Sequence, residues 1–154
     1  MPTGWRIVKT RLAARAFDGE GARRYGGRWN SPGTRVVYTA QSVSLAVLEL
    51  LVHLQASPLL ASYALRSARF DDRPVSAVDR SSLPSDWRAF PAPPALQRIG
   101  DTWIAAGSSL VLEVPSAIVE GESNYLINPA HPAFRRLRIG PPVRFRLDPR
   151  LLGR

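Results

Sequence analysis

The stretch from Tyr25 to His53 limits what this chain can fold into more than any other, because three elements of different chemistry follow one another with almost no linker. Tyr25-Gly26-Gly27-Arg28-Trp29-Asn30 is a glycine turn carrying an arginine, and adjacent glycines let the backbone approach a ligand closely. Ser31-Pro32-Gly33-Thr34 is a second turn, after which Arg35-Val36-Val37-Tyr38-Thr39-Ala40 reads as a strand. An apolar helix over 44–55 comes next, capped by Ser42 or Ser44 and ended by Ser57-Pro58. Leu45, Leu48 and Val52 recur at helical spacing and form its buried stripe, yet Glu49 lies on that stripe. A charged carboxylate on a buried face is expensive unless it is paired. His53, four residues on, shares its face. Arg28, Tyr38 and Glu49 therefore sit on consecutive elements that can converge on one cleft.

The rest of the chain supplies a sheet and helices to hold that cleft. Strands are expected at 5–10, 63–70, 109–114 and 143–147, and a helix at 93–106 that buries Leu96, Ile99, Trp103 and Ile104. Pro93-Pro94 opens this helix and Gly107 stops it. Residues 17–25 read as a polar loop over the site, and 71–91 as a long surface connection. A second polar loop carries Glu120, Glu122, Ser123 and Asn124. No repeat or composition break divides the chain. The expectation is one compact α+β domain over 1–154, with a mixed sheet and packed helices.

Composition matters mainly for what it excludes. With no cysteine there is no disulfide framework, which fits a reducing compartment and a cytoplasmic protein. No apolar run is long enough to span a bilayer, so no membrane association is expected. The formal charge of +9 comes from twenty arginines and one lysine. It points to a polyanionic partner or merely to a GC-rich coding bias, since the arginines are scattered rather than blocked.

Several familiar chemistries are missing. There is no dinucleotide or Walker glycine pattern and no nucleophile elbow. His53 and His131 lack zinc-ligand spacing, so no metal is expected. What remains is an arginine, an aromatic, a glutamate and Ser116, a serine just past a strand-ending proline. Each has an ordinary alternative. Arg28 is a phosphate clamp or a turn arginine; Tyr38 is a stacking ring or half-buried core. Glu49 is a reactive carboxylate or the buried partner of an arginine or His53. Ser116 binds a ligand or caps the Ala117-Ile118 turn. Together they suit a phosphate-bearing ligand whose reaction develops positive charge, such as cleavage of a glycosidic bond.

Those same residues carry a resemblance. Gly26-Gly27-Arg28-Trp29-Asn30, Val37-Tyr38-Thr39-Ala40 and Ser44 through His53 resemble the core of the RES domain. Gly100-Asp101-Thr102-Trp103, Val114-Pro115-Ser116 and Asn124 through Pro132 match the same family in the same order. The arginine, glutamate and serine that name the family fall on Arg28, Glu49 and Ser116. The resemblance implies a bacterial toxin of a type II toxin–antitoxin pair, neutralised by an Xre-like antitoxin, with nucleic acid reached only through that complex. It implies a fold similar to ADP-ribosyltransferases of the diphtheria-toxin kind, and NAD as the substrate, hydrolysed, phosphorolysed or used to ADP-ribosylate a protein. Arg28 would then hold the pyrophosphate and Tyr38 would stack near the nicotinamide. Glu49 would bind the nicotinamide-side ribose and stabilise its cation, and Ser116 would orient ribose or Glu49. Tyr25, His53 and Asn128 would line the pocket. Two rivals predict otherwise: a ribonuclease or nucleic-acid-binding module, suggested by the arginines, and a module that binds NAD without cleaving it.

Overall fold

Tyr38 lies in the middle of an eight-stranded sheet, and its strand parts the molecule into two faces. The computed structural model describes residues 1–54, 62–73 and 75–152. The strands are β1 (Thr3–Lys9), β2 (Val37–Ala40), β3 (Tyr63–Arg69), β4 (Val75–Ala77), β5 (Val111–Pro115), β6 (Ser123–Ile127), β7 (Arg138–Ile139) and β8 (Val143–Phe145). They run in the order β4-β5-β6-β2-β1-β3-β7, with β8 also on β3. Only β4 and β5 are parallel among the described pairs, so the sheet is mixed. The helices are α1 (Glu20–Tyr25), α2 (Val43–His53) and α3 (Pro94–Ala106). No helix among the described residues is long and apolar enough to cross a membrane.

Alternation along β2 sends Val37 to one side and Tyr38 and Ala40 to the other. Val37 joins Phe17, Ala68, Phe70, Leu110, Val111 and Ile127 in one core. On the opposite face the apolar residues split into two clusters. One gathers Trp29, Val36, Leu96, Trp103, Leu112, Val114 and Leu126 around α3. The other gathers Ile7, Ala40, Leu45, Ala46 and Tyr63 around α2. Register places Asn124 opposite Ala40 and Leu126 opposite Tyr38, so the seam between the clusters crosses β6 and β2. Polar side chains collect along that seam.

The sequence places most elements within a few residues and errs in four places. The 17–25 stretch is not a loop throughout: Glu20–Tyr25 is helical, because Asp18 Oδ1 accepts from the Glu20 amide and the Glu20 carboxylate bonds Arg23. The 71–91 connection contains β4 and a 3₁₀ turn at Arg80–Ser82, and its Val78, Leu83 and Trp87 pack on the α3 cluster. Ser123 and Asn124 begin β6 rather than end a loop. Val143–Phe145 is preceded by the short β7, which the sequence reading lacks. Gln55, Ser57 and Pro58, expected to close the second helix, lie outside the described residues.

Helix α2 corrects a further expectation. It buries Leu45 and Ala46, while Leu48 is 38 % and Val52 58 % exposed. The supposed buried stripe is therefore turned partly outward, and Glu49 is half-buried rather than sealed in the core. The helix is apolar nearly all round, from Val43 through Val52, so spacing alone could not choose the buried side. Ser42 is the cap: its Oγ accepts from the Leu45 amide at 3.0 Å.

Candidate active site

The Arg28 turn is clamped from both sides. The Tyr38 hydroxyl donates to Asn30 Oδ1 at 2.6 Å and accepts from the Trp29 amide at 3.0 Å. Burial pushes its pKa far above the ordinary phenol value, so it stays a neutral donor. Asn30, fully buried, donates to the carbonyls of Ala22, Ser31 and Thr34. From α3, Gln97 Nε2 donates to the carbonyls of Gly27 and Asn30, and Asp101 Oδ1 accepts from the Ser31 amide. A side chain at Gly27 would meet the Tyr38 oxygen at 2.7 Å. This glycine thus makes room for the Tyr38 hydroxyl.

Arg28 itself leans on the 71–91 segment. Its Nη1 donates to the Trp87 carbonyl at 2.8 Å and to the Ala89 carbonyl at 3.0 Å. Those two acceptors fix one nitrogen and leave the other side of the planar fork available. Burial pulls its pKa down, and the Glu49 carboxylate opposes that. Guanidinium and carboxylate are thus near enough to interact electrostatically.

Glu49 is held by neutral groups. Asn124 Nδ2 donates to its Oε1 at 2.8 Å, and Ser116 Oγ lies 3.5 Å from the same oxygen. The latter is long for a hydroxyl bond and is the weaker contact. Of the two alternatives open to it in the sequence, Ser116 takes up the turn cap, since its Oγ also accepts from the Ile118 and Val119 amides at 3.1 Å. Among the described residues, neither His53 nor an arginine forms an ion pair with Glu49. Arg28, Tyr38, Glu49 and Ser116 are thus gathered at one seam, with Asn124 as a fifth member.

The RES-domain profile matches residues 3–148. The chain belongs to the RES-domain family. It is 43 % identical over 148 residues to "Toxin Res" of Yersinia enterocolitica, covering 96 % of this chain and 97 % of that one. It is 35 % identical over 153 residues to "Prs ADP-ribosylating toxin" of Sphingobium sp., covering 96 % and 95 %. Its fold is similar to a chain in the M. tuberculosis MbcT–MbcA toxin–antitoxin complex, with TM-score 0.75 at 22 % identity, covering 94 % of this chain and 84 % of that chain.

Within this RES domain the remaining candidates are placed less centrally. Tyr25 is 81 % exposed at the end of α1. His53 is exposed at the end of α2, one turn beyond Glu49, and records no bond to it. Asn128 is buried, but its Oδ1 accepts from the Ala130 amide and its own amide donates to the Leu110 carbonyl. It builds the turn after β6, four residues along from Asn124. A groove of about 670 Å³ lies elsewhere, lined by Thr10, Ser62, Arg66 and Arg144 among others, and none of the candidate residues faces it. Chemistry, not size, marks the seam as the site. Sequence reasoning missed Asn124, read as a loop residue, and the Trp87 and Ala89 carbonyls, which no side-chain pattern could reveal.

The double role of the Tyr38 hydroxyl gives a direct prediction. Tyr38→Phe keeps the ring but leaves the Trp29 amide and Asn30 Oδ1 short of a partner. The fold should lose about 1–3 kcal/mol, read as a lower melting temperature. An unchanged melting temperature would show that the clamp does not depend on this hydroxyl.

Proposed function

We propose that this RES domain is the toxin of a toxin–antitoxin pair and cleaves the bond between nicotinamide and ribose in NAD. The observation that carries the reading is the half-buried Glu49 carboxylate, steadied by Asn124 and Ser116, within electrostatic reach of the partly desolvated Arg28. Arg28 would take the pyrophosphate with the free side of its guanidinium. The Tyr38 ring would border the nicotinamide while its hydroxyl holds the loop. Glu49 would bind the ribose and stabilise the oxocarbenium-like centre as the carbon–nitrogen bond breaks. The bonding pair passes to the ring nitrogen, so nicotinamide departs neutral and needs no general acid. Water, or another nucleophile that sheds a proton, completes the step.

A second reading keeps this chemistry and changes the acceptor. The relative named as an ADP-ribosylating toxin favours transfer of ADP-ribose to a protein side chain. In either case an Xre-like antitoxin would silence the protein by covering the cleft. Its association should be aided by the excess of arginine if it presents an acidic segment.

The test is to incubate purified protein with NAD, with and without phosphate and with and without cell protein, and to follow nicotinamide by chromatography. Nicotinamide with free ADP-ribose is the result expected for hydrolysis. A phosphate-dependent product identifies phosphorolysis, and label retained on protein identifies transfer. NAD that binds but stays intact would leave only a binding module.

A further inference from the structure

Among the described residues, Asn124 makes the shortest hydrogen bond to Glu49, at 2.8 Å. It lies on β6, flanked by β5 and β2, in the interior of the sheet. Asparagine is a poor strand residue, and this one leaves its Oδ1 sealed from solvent with no partner among the described residues. A sealed, unpaired acceptor weakens the fold. Turning the amide over would not help, because Oδ1 would then face Glu49 Oε1 at 2.8 Å, acceptor against carboxylate. The donor orientation is therefore fixed by electrostatics. Sites that break a local rule without a gain in stability are where function is expected.

We propose that Asn124 is the positioning residue of Glu49. Its amide pins Oε1 of the helix-borne carboxylate to the floor of the sheet, so that Oε2, which has no bond partner among the described residues, is the oxygen turned to the ligand. Ser116 cannot do this alone, being at 3.5 Å and already accepting two backbone amides. Glu49 sits on α2 and Asn124 on β6, so this bond also sets where the helix offers its carboxylate against the Arg28 loop. The kinetic part rests on the NAD reading; the positional part does not.

Two variants test it. Asn124→Ala removes the donor together with the unpaired acceptor. Its kcat for nicotinamide release should fall by about a hundredfold, with KM within about threefold, since Arg28 is untouched. Its melting temperature should hold or rise, whereas a residue serving only the fold would melt early. Asn124→Asp puts a carboxyl against a carboxylate, and such a pair shares one proton. Its activity, relative to the parent at each pH, should recover toward acid, where the bridging proton replaces the lost N–H. An Asn124→Ala variant with parental kcat, or an Asn124→Asp loss that is flat across pH, would overturn the proposal. If the parent releases no nicotinamide, the NAD reading fails by itself. A crystal structure of Asn124→Ala then decides the positional claim: the Glu49 carboxylate should move by roughly 1 Å or more, the scale at which misplacement matters. A carboxylate that stays in place refutes it.

Discussion

Replacing Glu49 by glutamine should cut nicotinamide release about a hundredfold or more, on the order of 3 kcal/mol, while the fold melts near its parent temperature. The substitution keeps shape and removes only charge. In the transition state that charge stabilises the forming ribose cation, and among the described residues no second carboxylate joins Asn124 and Ser116 around it. The stability side of the expectation follows from where Glu49 sits. It is half-buried between the exposed Leu48 and Val52, so its desolvation is partial, and its direct partners are neutral. Loss of the Coulomb attraction to Arg28 is offset by easier burial of an amide, and glutamine still offers an oxygen to Asn124 Nδ2. Were Glu49 instead the structural counter-ion of Arg28, the same change would leave a cation unbalanced and lower the melting point markedly. Measuring turnover and melting on this one variant separates the two. A protein that melts early yet turns over NAD normally, below its melting point, refutes the catalytic assignment.

The central triad was legible in the sequence because its members lie on elements with strong local signals. Tyr38 stands in a β-branched run, Glu49 on a helix with a clear cap, and Arg28 between two turns. Helix α3 was equally plain, from Pro94 to the Gly107 cap, whose φ of +60° is the left-handed value a helix stop calls for. The face of α2 was not legible. Glu49 was noticed for breaking a buried stripe, and that stripe proved half exposed, so the reason for noticing it does not hold. A helix apolar on every side carries no phase, and only the sheet beneath it decides which residues go in.

Other features were hidden for a different reason. Asn124 was read as part of a loop because Glu120, Glu122 and Ser123 precede it and asparagine disfavours strands. Tertiary pairing overrides that preference: β6 is paired with β5 along its whole length and with β2 from Asn124 to Ile127. The 71–91 segment looked like surface chain because serine, proline and charge dominate it. Its contribution to the site is two backbone carbonyls, and a carbonyl is the same at every position of a sequence. The Gly100-Asp101-Thr102-Trp103 motif could be recognised but not explained until α3 was seen to grip the Arg28 turn through Gln97 and Asp101.

That grip leaves Gly100 with the least room for a side chain among the described glycines. It lies inside α3, between the buried Leu96 and Trp103. By helix propensity alone, Gly100→Ala should stabilise the chain by about 1 kcal/mol. Geometry forbids it. A Cβ there would fall 1.6 Å from the Trp29 carbonyl oxygen and 2.8 Å from its carbon, both backbone atoms of the turn that carries Arg28. Trp29 is itself buried and its amide is tied to Tyr38, so neither side can yield cheaply. The helix must back away from the turn, opening the cluster of Trp29, Leu96, Trp103 and Leu126 and stretching the bonds from Gln97 and Asp101. The expected cost is on the order of 3 kcal/mol or more, a fall of about 10 °C in melting temperature for a chain of this size. Activity should drop further than stability, because the displaced turn carries Arg28 out of register with Glu49. Gly21→Ala supplies the opposite sign: it is also helical, a Cβ there meets nothing within 4 Å, and it should stabilise by up to about 1 kcal/mol. If Gly100→Ala melts at or above the parent, the close approach of α3 to the Arg28 turn is not what holds this site together.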